Sequence, residues 1–209
     1  MTESAVSNPS VFVIDDDQSI RHAMELLMRS VGMTCRIFHS AGDFLDVYSP
    51  DLSGCLVLDI RMPGISGLEL QDKLANLGSS LPIIFITGYG DVPMAVEAMQ
   101  KGAFDFLEKP FRDQELLERI GAAMEADSMQ RAQEHQAQAV QQRVARLTKR
   151  EREVLELVVT GKPNKIIAHE LDVSQRTVEI HRARVMEKME AGSLAELVRM
   201  YLAITGRSG

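Results

Sequence analysis

The feature that most constrains the fold is an alternation of short apolar runs with amphipathic stretches between Val11 and about Gly121. Each run is brief and rich in β-branched, aromatic or leucine residues, which is typical of a buried strand. The alternation predicts a doubly wound parallel sheet, flavodoxin-like in class, covered by helices. Five strands are expected, at residues 11–14, 34–38, 55–58, 83–86 and 104–107.

Helices are expected between these strands. Gly32 can end the first helix in the left-handed conformation, Pro93 stands where a fourth helix should begin, and Gly102 lies just past its end. One apolar stripe at helical spacing runs along the first helix. Its members are Ile20, Ala23, Met24, Leu27, Met28 and Val31.

The C-terminal third of the chain has a different composition. Residues 122–145 are rich in Ala, Gln, Met and Glu and contain no Pro or Gly, which predicts a helical linker. Beyond it, four short helices are expected at residues 149–160, 164–171, 175–189 and 194–204. The middle two are separated by residues 172–174 alone, with Ser174 able to cap the longer one, so this spacing predicts a helix-turn-helix.

Helix-end motifs support these boundaries. Thr148 with Glu151, and Ser193 with Glu196, both match the reciprocal capping box, in which each residue of the pair caps the other's backbone amide. Gly161 and Gly192 are placed to end the preceding helices. The chain is therefore predicted to contain an α/β domain at residues 1–121, the linker at 122–145, and an all-α, four-helix domain at 146–209.

Charge separates the two predicted domains. The whole chain carries −7, but residues 1–121 carry −9 and residues 146–209 carry +3. The basic C-terminal segment is thus a candidate for DNA binding. Neither a secretory signal nor a membrane-spanning run is evident, so a cytoplasmic location is expected. Cys35 and Cys55 are too few for a metal cage and are expected to be buried, reduced thiols.

Polar residues follow four of the predicted strands. Because the carboxyl ends of parallel strands meet in one crevice, these residues should become neighbours. Crowded carboxylates repel one another unless a cation holds them, and oxygen ligands favour Mg²⁺. A hydroxyl and an ammonium beside that cation can bind a phosphoryl group. Asp17 is expected to be a helix-capping or solvated residue instead. The strand-end residues are Asp15, Asp16, Asp17, Asp59, Thr87, Lys109 and Pro110.

Four motifs resemble the receiver domain of two-component response regulators: VFVIDDD at 11–17, LDIRMPG at 58–64, ITG at 86–88 and EKPF at 108–111. The resemblance implies that Asp59 accepts a phosphoryl group from a sensor histidine kinase. It also implies that Asp16, Asp59 and the backbone carbonyl of Arg61 bind Mg²⁺ or Mn²⁺, with Asp15 assisting. Lys109 and Thr87 would each bind an oxygen of the phosphoryl group.

The same resemblance implies a switch and a dimer. Thr87 and Phe106 form the switch pair: a phosphoryl dianion draws Thr87 toward Asp59, and Phe106 rotates into the space that opens. The reshaped surface is then the fourth helix and the fifth strand, and homodimerisation on phosphorylation is expected there. Val96 and Gln100 are its candidate contacts, although Val96 can instead be simple core packing.

The segments LTKREREVL at 147–155 and VSQRTVEIH at 173–181 resemble the LuxR-type output domain of the NarL/FixJ subfamily. With the run GYGDVPMAV at 88–96, the overall likeness is to FixJ-like regulators. The resemblance implies promoter DNA as a ligand and RNA polymerase as a partner.

Spacing divides the second helix of the helix-turn-helix into two faces. Val178, His181, Val185 and Met189 form a stripe that should be buried, with His181 a packed core histidine. The opposite face can meet base edges in the major groove, and nearby cations can contact phosphates. The expected DNA contacts are Lys165, Arg176, Thr177, Glu179, Ile180, Arg182, Ala183, Arg184 and Lys188.

Two other function classes compete with a transcriptional regulator. A phosphatase using an aspartyl-phosphate intermediate usually needs a second carboxylate two residues after the nucleophile, and here that position is Arg61. A four-helix bundle can also bind protein or RNA, but the arginines beside the reading face favour DNA. The sequence thus predicts a phosphoacceptor regulator rather than an enzyme.

Overall fold

The computed structural model describes residues 8–88 and 92–205. Contacts between residues divide the chain into two compact units, Met1–Gln130 and Arg131–Gly209. A single helix, α5 (Asp113–Ala145), contributes to both units.

In its described part, the first unit contains a five-stranded parallel sheet, which confirms the predicted fold class. The strands lie in the order β2-β1-β3-β4-β5, and the crossover after β2 brings β1 and β3 side by side at the centre. The fifth strand is displaced by one residue from its predicted position, because Phe104 precedes the pairing with β4. The strands are β1 (Ser10–Ile14), β2 (Cys35–Phe38), β3 (Gly54–Asp59), β4 (Ile83–Thr87) and β5 (Asp105–Glu108).

Helices cover both faces of this sheet, so successive strand residues are buried on opposite sides. Phe12 and Leu56 pack toward α2 and α3, whereas Val13 and Val57 pack toward α1 and α5. Besides α5, the helices of this unit are α1 (Gln18–Ser30), α2 (Ala41–Val47), α3 (Gly67–Asn76) and α4 (Val92–Gln100).

The predicted apolar stripe of α1 is wider than the face that the helix buries. Met24 and Met28 are buried, but Ala23 and Val31 are exposed, because a helix lying on a sheet covers only the middle of such a stripe. Gly32 takes the predicted left-handed conformation, with φ of 73°. The cysteine prediction is half wrong: both thiols are free, but only Cys55 is buried.

The thiol of Cys35 is half-buried because β2 lies at the edge of the sheet. Burial nevertheless raises the pKa of Cys35 to about 11 and that of Cys55 to about 12. Both thiols therefore stay protonated at neutral pH.

Helix α5 begins nine residues before the predicted linker and continues through it. Leu116, Ile120 and Ala123 pack against the sheet. One turn further on, the buried carboxylate of Asp127 accepts a hydrogen bond of 2.9 Å from the backbone N–H of Gly54 at the start of β3. This contact fastens the helix to the start of β3, at the opposite end of the strand from Asp59.

The second unit is a helical bundle with its own apolar core. Val154, Leu155, Ile167, Val178 and Val185 form the centre of that core, and Val140 of α5 packs against them. The helices are α6 (Lys149–Val159), α7 (Asn164–Glu170), α8 (Gln175–Met189) and α9 (Leu194–Thr205). Of the described helices in both units, none is long and apolar enough to cross a bilayer.

The helix ends confirm one capping box and correct the other. Thr148 and Glu151 cap each other's amides at the start of α6, as predicted. At α9, Ser193 Oγ accepts from the Glu196 N–H at 3.2 Å, but Glu196 accepts from the N–H of Gly192 instead of Ser193. Glu190, rather than Gly192, takes the left-handed conformation at the end of α8.

Candidate phosphoacceptor site and DNA-binding face

A cluster of three carboxylates lies at the carboxyl ends of β1 and β3. Carboxylate oxygens of Asp15, Asp16 and Asp59 all lie within 4.8 Å of one another. The adjacency of β1 and β3 explains this, because Ile14 pairs with Leu58 and the acidic residues follow directly. Asp15 is 1% exposed, Asp59 is half-buried and Asp16 is exposed.

Lys109 joins two members of this cluster. Its Nζ donates to Oδ2 of Asp59 at 2.8 Å and to Oδ2 of Asp15 at 2.9 Å. The ammonium reaches them because Lys109 follows β5, where its N–H donates to the Thr87 carbonyl at 2.7 Å. The peptide bond between Lys109 and Pro110 is cis.

The pKa values of this cluster reflect burial and pairing. Burial lowers the pKa of Lys109, but its hydrogen bonds to Asp59 and Asp15 outweigh that effect, so the pKa lies above its ordinary value. Burial raises the pKa of Asp15, and the hydrogen bond from Lys109 only partly offsets it. Lys109 therefore stays protonated at neutral pH, while the carboxyl group of Asp15 lies where it is largely shielded from water.

Asp17 and Arg61 complete the surroundings of the cluster. Asp17 is the N-cap of α1, with a carboxylate that accepts from the N–H of Ser19 at 2.7 Å, so its role as a helix cap is confirmed. The N–H of Arg61 donates to Oδ1 of Asp59 at 3.1 Å. That bond holds one oxygen of Asp59 while Lys109 holds the other.

The residues expected to act as a switch lie on β4 and β5. Thr87 is 3% exposed, and its hydroxyl donates to the Gly88 carbonyl at 2.9 Å. Phe106 is 38% exposed on β5. On α4, Val96 is 50% exposed, so the core-packing alternative for it is wrong, and Gln100 is exposed as well. Residues 89–91 of the FixJ-like run lie outside the described residues.

Sequence reasoning missed Arg21. Its Nη1 donates to the main-chain carbonyl of Asp15 at 2.7 Å, which brings a second cation to the β1–α1 turn. A side chain that bonds a backbone carbonyl leaves no pattern of residue types, so the sequence offered only the one-turn spacing from Asp17 as an indication.

In the second unit, α8 presents the two faces that its spacing predicts. Val178, Val185 and Met189 are buried, whereas His181 is half-buried, with an Nδ1 atom that is enclosed and has no partner among the described residues. Ser174 caps the helix by accepting from the N–H of Thr177 at 3.1 Å. The exposed residues near the helix start and beyond are Arg176, Glu179, Ile180, Ala183 and Arg184.

Two of the expected phosphate contacts have partners inside this unit. Arg182 donates to Oδ1 of Asn164 at 2.7 Å, which joins α8 to the start of α7. Lys188 donates to Oε2 of Glu151 at 2.6 Å, which joins the last turn of α8 to α6. Lys165 on α7 is exposed.

Comparison with known families finds a match for each of the two units. Residues 11–121 match the response regulator receiver domain, and residues 145–201 match the bacterial regulatory proteins of the luxR family. The chain is 50% identical to nodulation protein W of Bradyrhizobium diazoefficiens over 190 residues, which cover 91% of this chain and 84% of that protein. It is also 50% identical to the transcriptional regulatory protein FixJ of Azorhizobium caulinodans over 192 residues, or 92% and 91% of the two chains.

Solved structures give the same result. The response regulator StyR matches with a TM-score of 0.84 at 43% identity, over 93% of this chain and 98% of that chain. Full-length FixJ from B. japonicum matches with a TM-score of 0.58 at 44% identity, over 97% and 99%. A receiver domain implies a histidine kinase partner, and a LuxR-type domain implies promoter DNA. The chain therefore belongs to the two-component response regulators of the NarL/FixJ subfamily, which are transcriptional regulators rather than classical enzymes.

Proposed function

We propose that Asp59 is the phosphoacceptor of this response regulator. A carboxylate oxygen of Asp59 forms a bond to phosphorus as the P–N bond of the kinase phosphohistidine breaks. The electron pair of that bond returns to the histidine nitrogen, which leaves as neutral imidazole when the other ring nitrogen carries a proton. The observation that supports this role is the position of Asp59 between Lys109 and the N–H of Arg61, at 2.8 and 3.1 Å.

The donor set fits a hard divalent cation. Three carboxylates within 4.8 Å, one of them buried, form the kind of oxygen-rich site that Mg²⁺ or Mn²⁺ prefers. Asp15, Asp16, Asp59 and the backbone carbonyl of Arg61 would hold the ion. When bound, it would neutralise negative charge on the transferring phosphoryl oxygens.

Lys109 and Thr87 would then bind the phosphoryl group. The ammonium of Lys109 already contacts Asp59, so it lies within reach of an oxygen attached there. Thr87 exchanges its bond to the Gly88 carbonyl for a bond to a phosphoryl oxygen, since a dianion is the stronger acceptor. Withdrawal of the Thr87 side chain leaves room for Phe106 to turn inward.

Homodimerisation is the proposed output of that change. Val96 and Gln100 on α4 and Phe106 on β5 are exposed in this structure and can form one face of a symmetric dimer. Two LuxR-type domains brought together bind a palindromic promoter more tightly than one, because the second contact becomes intramolecular. RNA polymerase at that promoter is the proposed downstream partner, and the cytoplasm the proposed location.

The domain at residues 146–209 is proposed to read DNA with the exposed face of α8. Residues 1–121 are proposed to receive the signal from the kinase, and the helix at 122–145 links them to the DNA-binding domain. Thr177, Glu179, Ile180 and Ala183 would lie on the face that meets base edges. The proposed phosphate contacts are Lys165, Arg176, Arg182, Arg184 and Lys188, of which Arg182 and Lys188 would use the N–H donors not bonded to Asn164 and Glu151.

A phosphorylation assay tests the acceptor role. Wild type and Asp59→Asn are incubated with Mg²⁺ and acetyl phosphate, and the phosphorylated fraction is measured on a phosphate-affinity gel. We expect label in wild type and none in Asp59→Asn, whereas Asp51→Asn, an exposed aspartate before β3, retains it. Equal labelling of all three proteins would exclude Asp59 as the acceptor.

A second assay tests the output. Beryllofluoride is added to the full chain, and its mass is followed by light scattering while binding to promoter DNA is followed by gel shift. We expect dimer formation and tighter binding together. Arg184→Gln should weaken binding to any duplex and lower the salt slope by about one, as expected for one lost phosphate contact. An unchanged mass and affinity would contradict the coupling.

A further inference from the structure

The β1–α1 turn holds a buried aspartate whose polar groups are all bonded. Asp15 Oδ1 accepts from the N–H of Asp17 at 2.8 Å, and Oδ2 accepts from Lys109 at 2.9 Å. Its N–H donates to the Phe38 carbonyl at 3.4 Å. The remaining group, the main-chain carbonyl, accepts from Nη1 of Arg21 at 2.7 Å.

The carbonyl bonded by Arg21 belongs to the peptide unit between Asp15 and Asp16. Because that unit is planar, fixing its carbonyl also fixes the direction from which the Asp16 Cα projects. The side chain of Asp16 is exposed, so surrounding packing does little to restrain it. The backbone is therefore the main restraint on where the Asp16 carboxylate lies relative to Asp15 and Asp59.

Helix stability does not explain an arginine at this position. Arg21 is the fourth residue of α1, close to the positive end of the helix dipole, where a cation is unfavourable. The helical residues of the first turn include no acid, and the carboxylate at this helix end, that of Asp17, already caps the N–H of Ser19. A half-buried cation retained there is better explained by its bond to Asp15.

We propose that Arg21 is a positioning residue for cation binding: its guanidinium fixes the Asp15–Asp16 peptide unit and so holds the Asp16 carboxylate beside Asp15 and Asp59. This inference rests on the phosphoacceptor function proposed above. The observed bond of Arg21 is to the backbone carbonyl of Asp15, so it would act on the metal ion only through the backbone that carries a ligand.

The test measures metal binding apart from phosphorylation. Mn²⁺ is titrated into the full chain, and the electron paramagnetic resonance signal of free Mn²⁺ gives the bound fraction. Four proteins are compared: wild type, Arg21→Gln, Arg21→Lys and the control Arg29→Gln, which removes one exposed cation from the last turn of the same helix.

We expect the Mn²⁺ dissociation constant of Arg21→Gln to rise about tenfold, the usual effect of losing an outer hydrogen bond to a metal site. Arg21→Lys keeps a charged donor and should recover part of that loss, while Arg29→Gln should match wild type. In phosphorylation by acetyl phosphate, the half-saturating Mg²⁺ concentration of Arg21→Gln should rise by the same factor. Its rate at saturating Mg²⁺ should equal that of wild type.

Several results would overturn the inference. Equal Mn²⁺ affinity in Arg21→Gln and Arg29→Gln, with wild type binding normally, would leave Arg21 without a positioning role. A rate that stays low at saturating Mg²⁺ would mean that Arg21 acts on the chemistry itself. Wild type that binds no Mn²⁺ would instead refute the cation site of the proposed function. Circular dichroism of each variant verifies that the fold is intact.

Discussion

Nζ of Lys188 lies 2.6 Å from Oε2 of Glu151, so the last turn of α8 is joined to the first turn of α6. Glu151 is 2% exposed and also accepts from the N–H of Thr148 in the capping box. The hydrogen bond from Lys188 lowers the pKa of Glu151 to about 2, against the opposing effect of burial. Orientation of the proposed recognition helix thus depends on an ionised carboxylate.

The stability of the second unit should depend on this carboxylate. Since the folded pKa of Glu151 lies below its unfolded value of 4.5, its contribution is complete above pH 4.5 and is lost as the pH falls toward about 2. Glu151→Gln should lower the free energy of unfolding by about 1–3 kcal/mol at pH 7. Urea denaturation followed by circular dichroism at pH 7, 4.5 and 3 measures both effects.

Glu153→Gln is the matched control for that experiment, since Glu153 pairs with Arg150 on the same helix at a more exposed site. Its loss should cost at most about 1 kcal/mol. If Glu151→Gln and wild type lose stability in parallel between pH 4.5 and 3, Glu151 does not carry the pH dependence.

The sequence could predict those site residues that residue type and spacing mark, and it could not predict the others. Asp15, Asp59, Thr87 and Lys109 lie at or directly after the ends of strands, and these ends meet in a parallel sheet, so their proximity could be predicted from periodicity alone. Arg21 bonds a backbone carbonyl, and no side-chain pattern marks such a contact.

Other features depend on distance along the chain or on local competition. The bond from the Gly54 N–H to Asp127 joins residues 73 positions apart, in elements whose relative placement spacing does not give. The end of α8 at Glu190 also departs from the glycine rule. Arg143 pairs with this left-handed Glu190 at 2.6 Å, a contact between residues 47 positions apart that spacing does not indicate either.

Gly54 and Gly121 should respond in opposite ways to alanine. Gly54 has φ of 125°, and a Cβ there would lie 1.9 Å from the Ser10 carbonyl oxygen. Gly54→Ala should therefore destabilise the first unit by about 3 kcal/mol or more. Gly121 lies exposed in α5 with nothing within 4 Å of such a Cβ, so alanine should stabilise it by about 0.5–1 kcal/mol. Thermal unfolding of both variants measures the difference, and a shift of the same sign in both would contradict it.

Removal of the Lys109 ammonium should separate metal binding from phosphorylation. Lys109→Gln removes the cation that contacts Asp59 and Asp15, so phosphorylation by acetyl phosphate should slow at least tenfold, or by about 1.4 kcal/mol. Mn²⁺ should still bind Lys109→Gln, and no more weakly than wild type, because the ammonium no longer competes for the same carboxylate oxygens.

Lys101→Gln, which removes an exposed ammonium paired with Asp72 and Glu97, is the control and should keep the wild-type rate. Parallel loss of metal binding and phosphorylation would show that Lys109 supports the structure of the site rather than the transfer.

Thr87→Ala should uncouple phosphorylation from output. Within the described part of the chain the Thr87 hydroxyl bonds only the neighbouring Gly88 carbonyl, so its removal leaves Asp59, Lys109 and the acidic cluster in place. Loss of its bond to a phosphoryl oxygen should slow phosphorylation of Thr87→Ala, so the variant is compared with wild type at an equal phosphorylated fraction, measured on a phosphate-affinity gel. Without the hydroxyl, however, the phosphoryl group has nothing to draw toward Asp59, and Phe106 keeps its exposed position. Light scattering of Thr87→Ala with acetyl phosphate should therefore give the monomer mass. Thr87→Ser retains the hydroxyl and should dimerise as wild type does. A dimer of Thr87→Ala would exclude Thr87 from the switch.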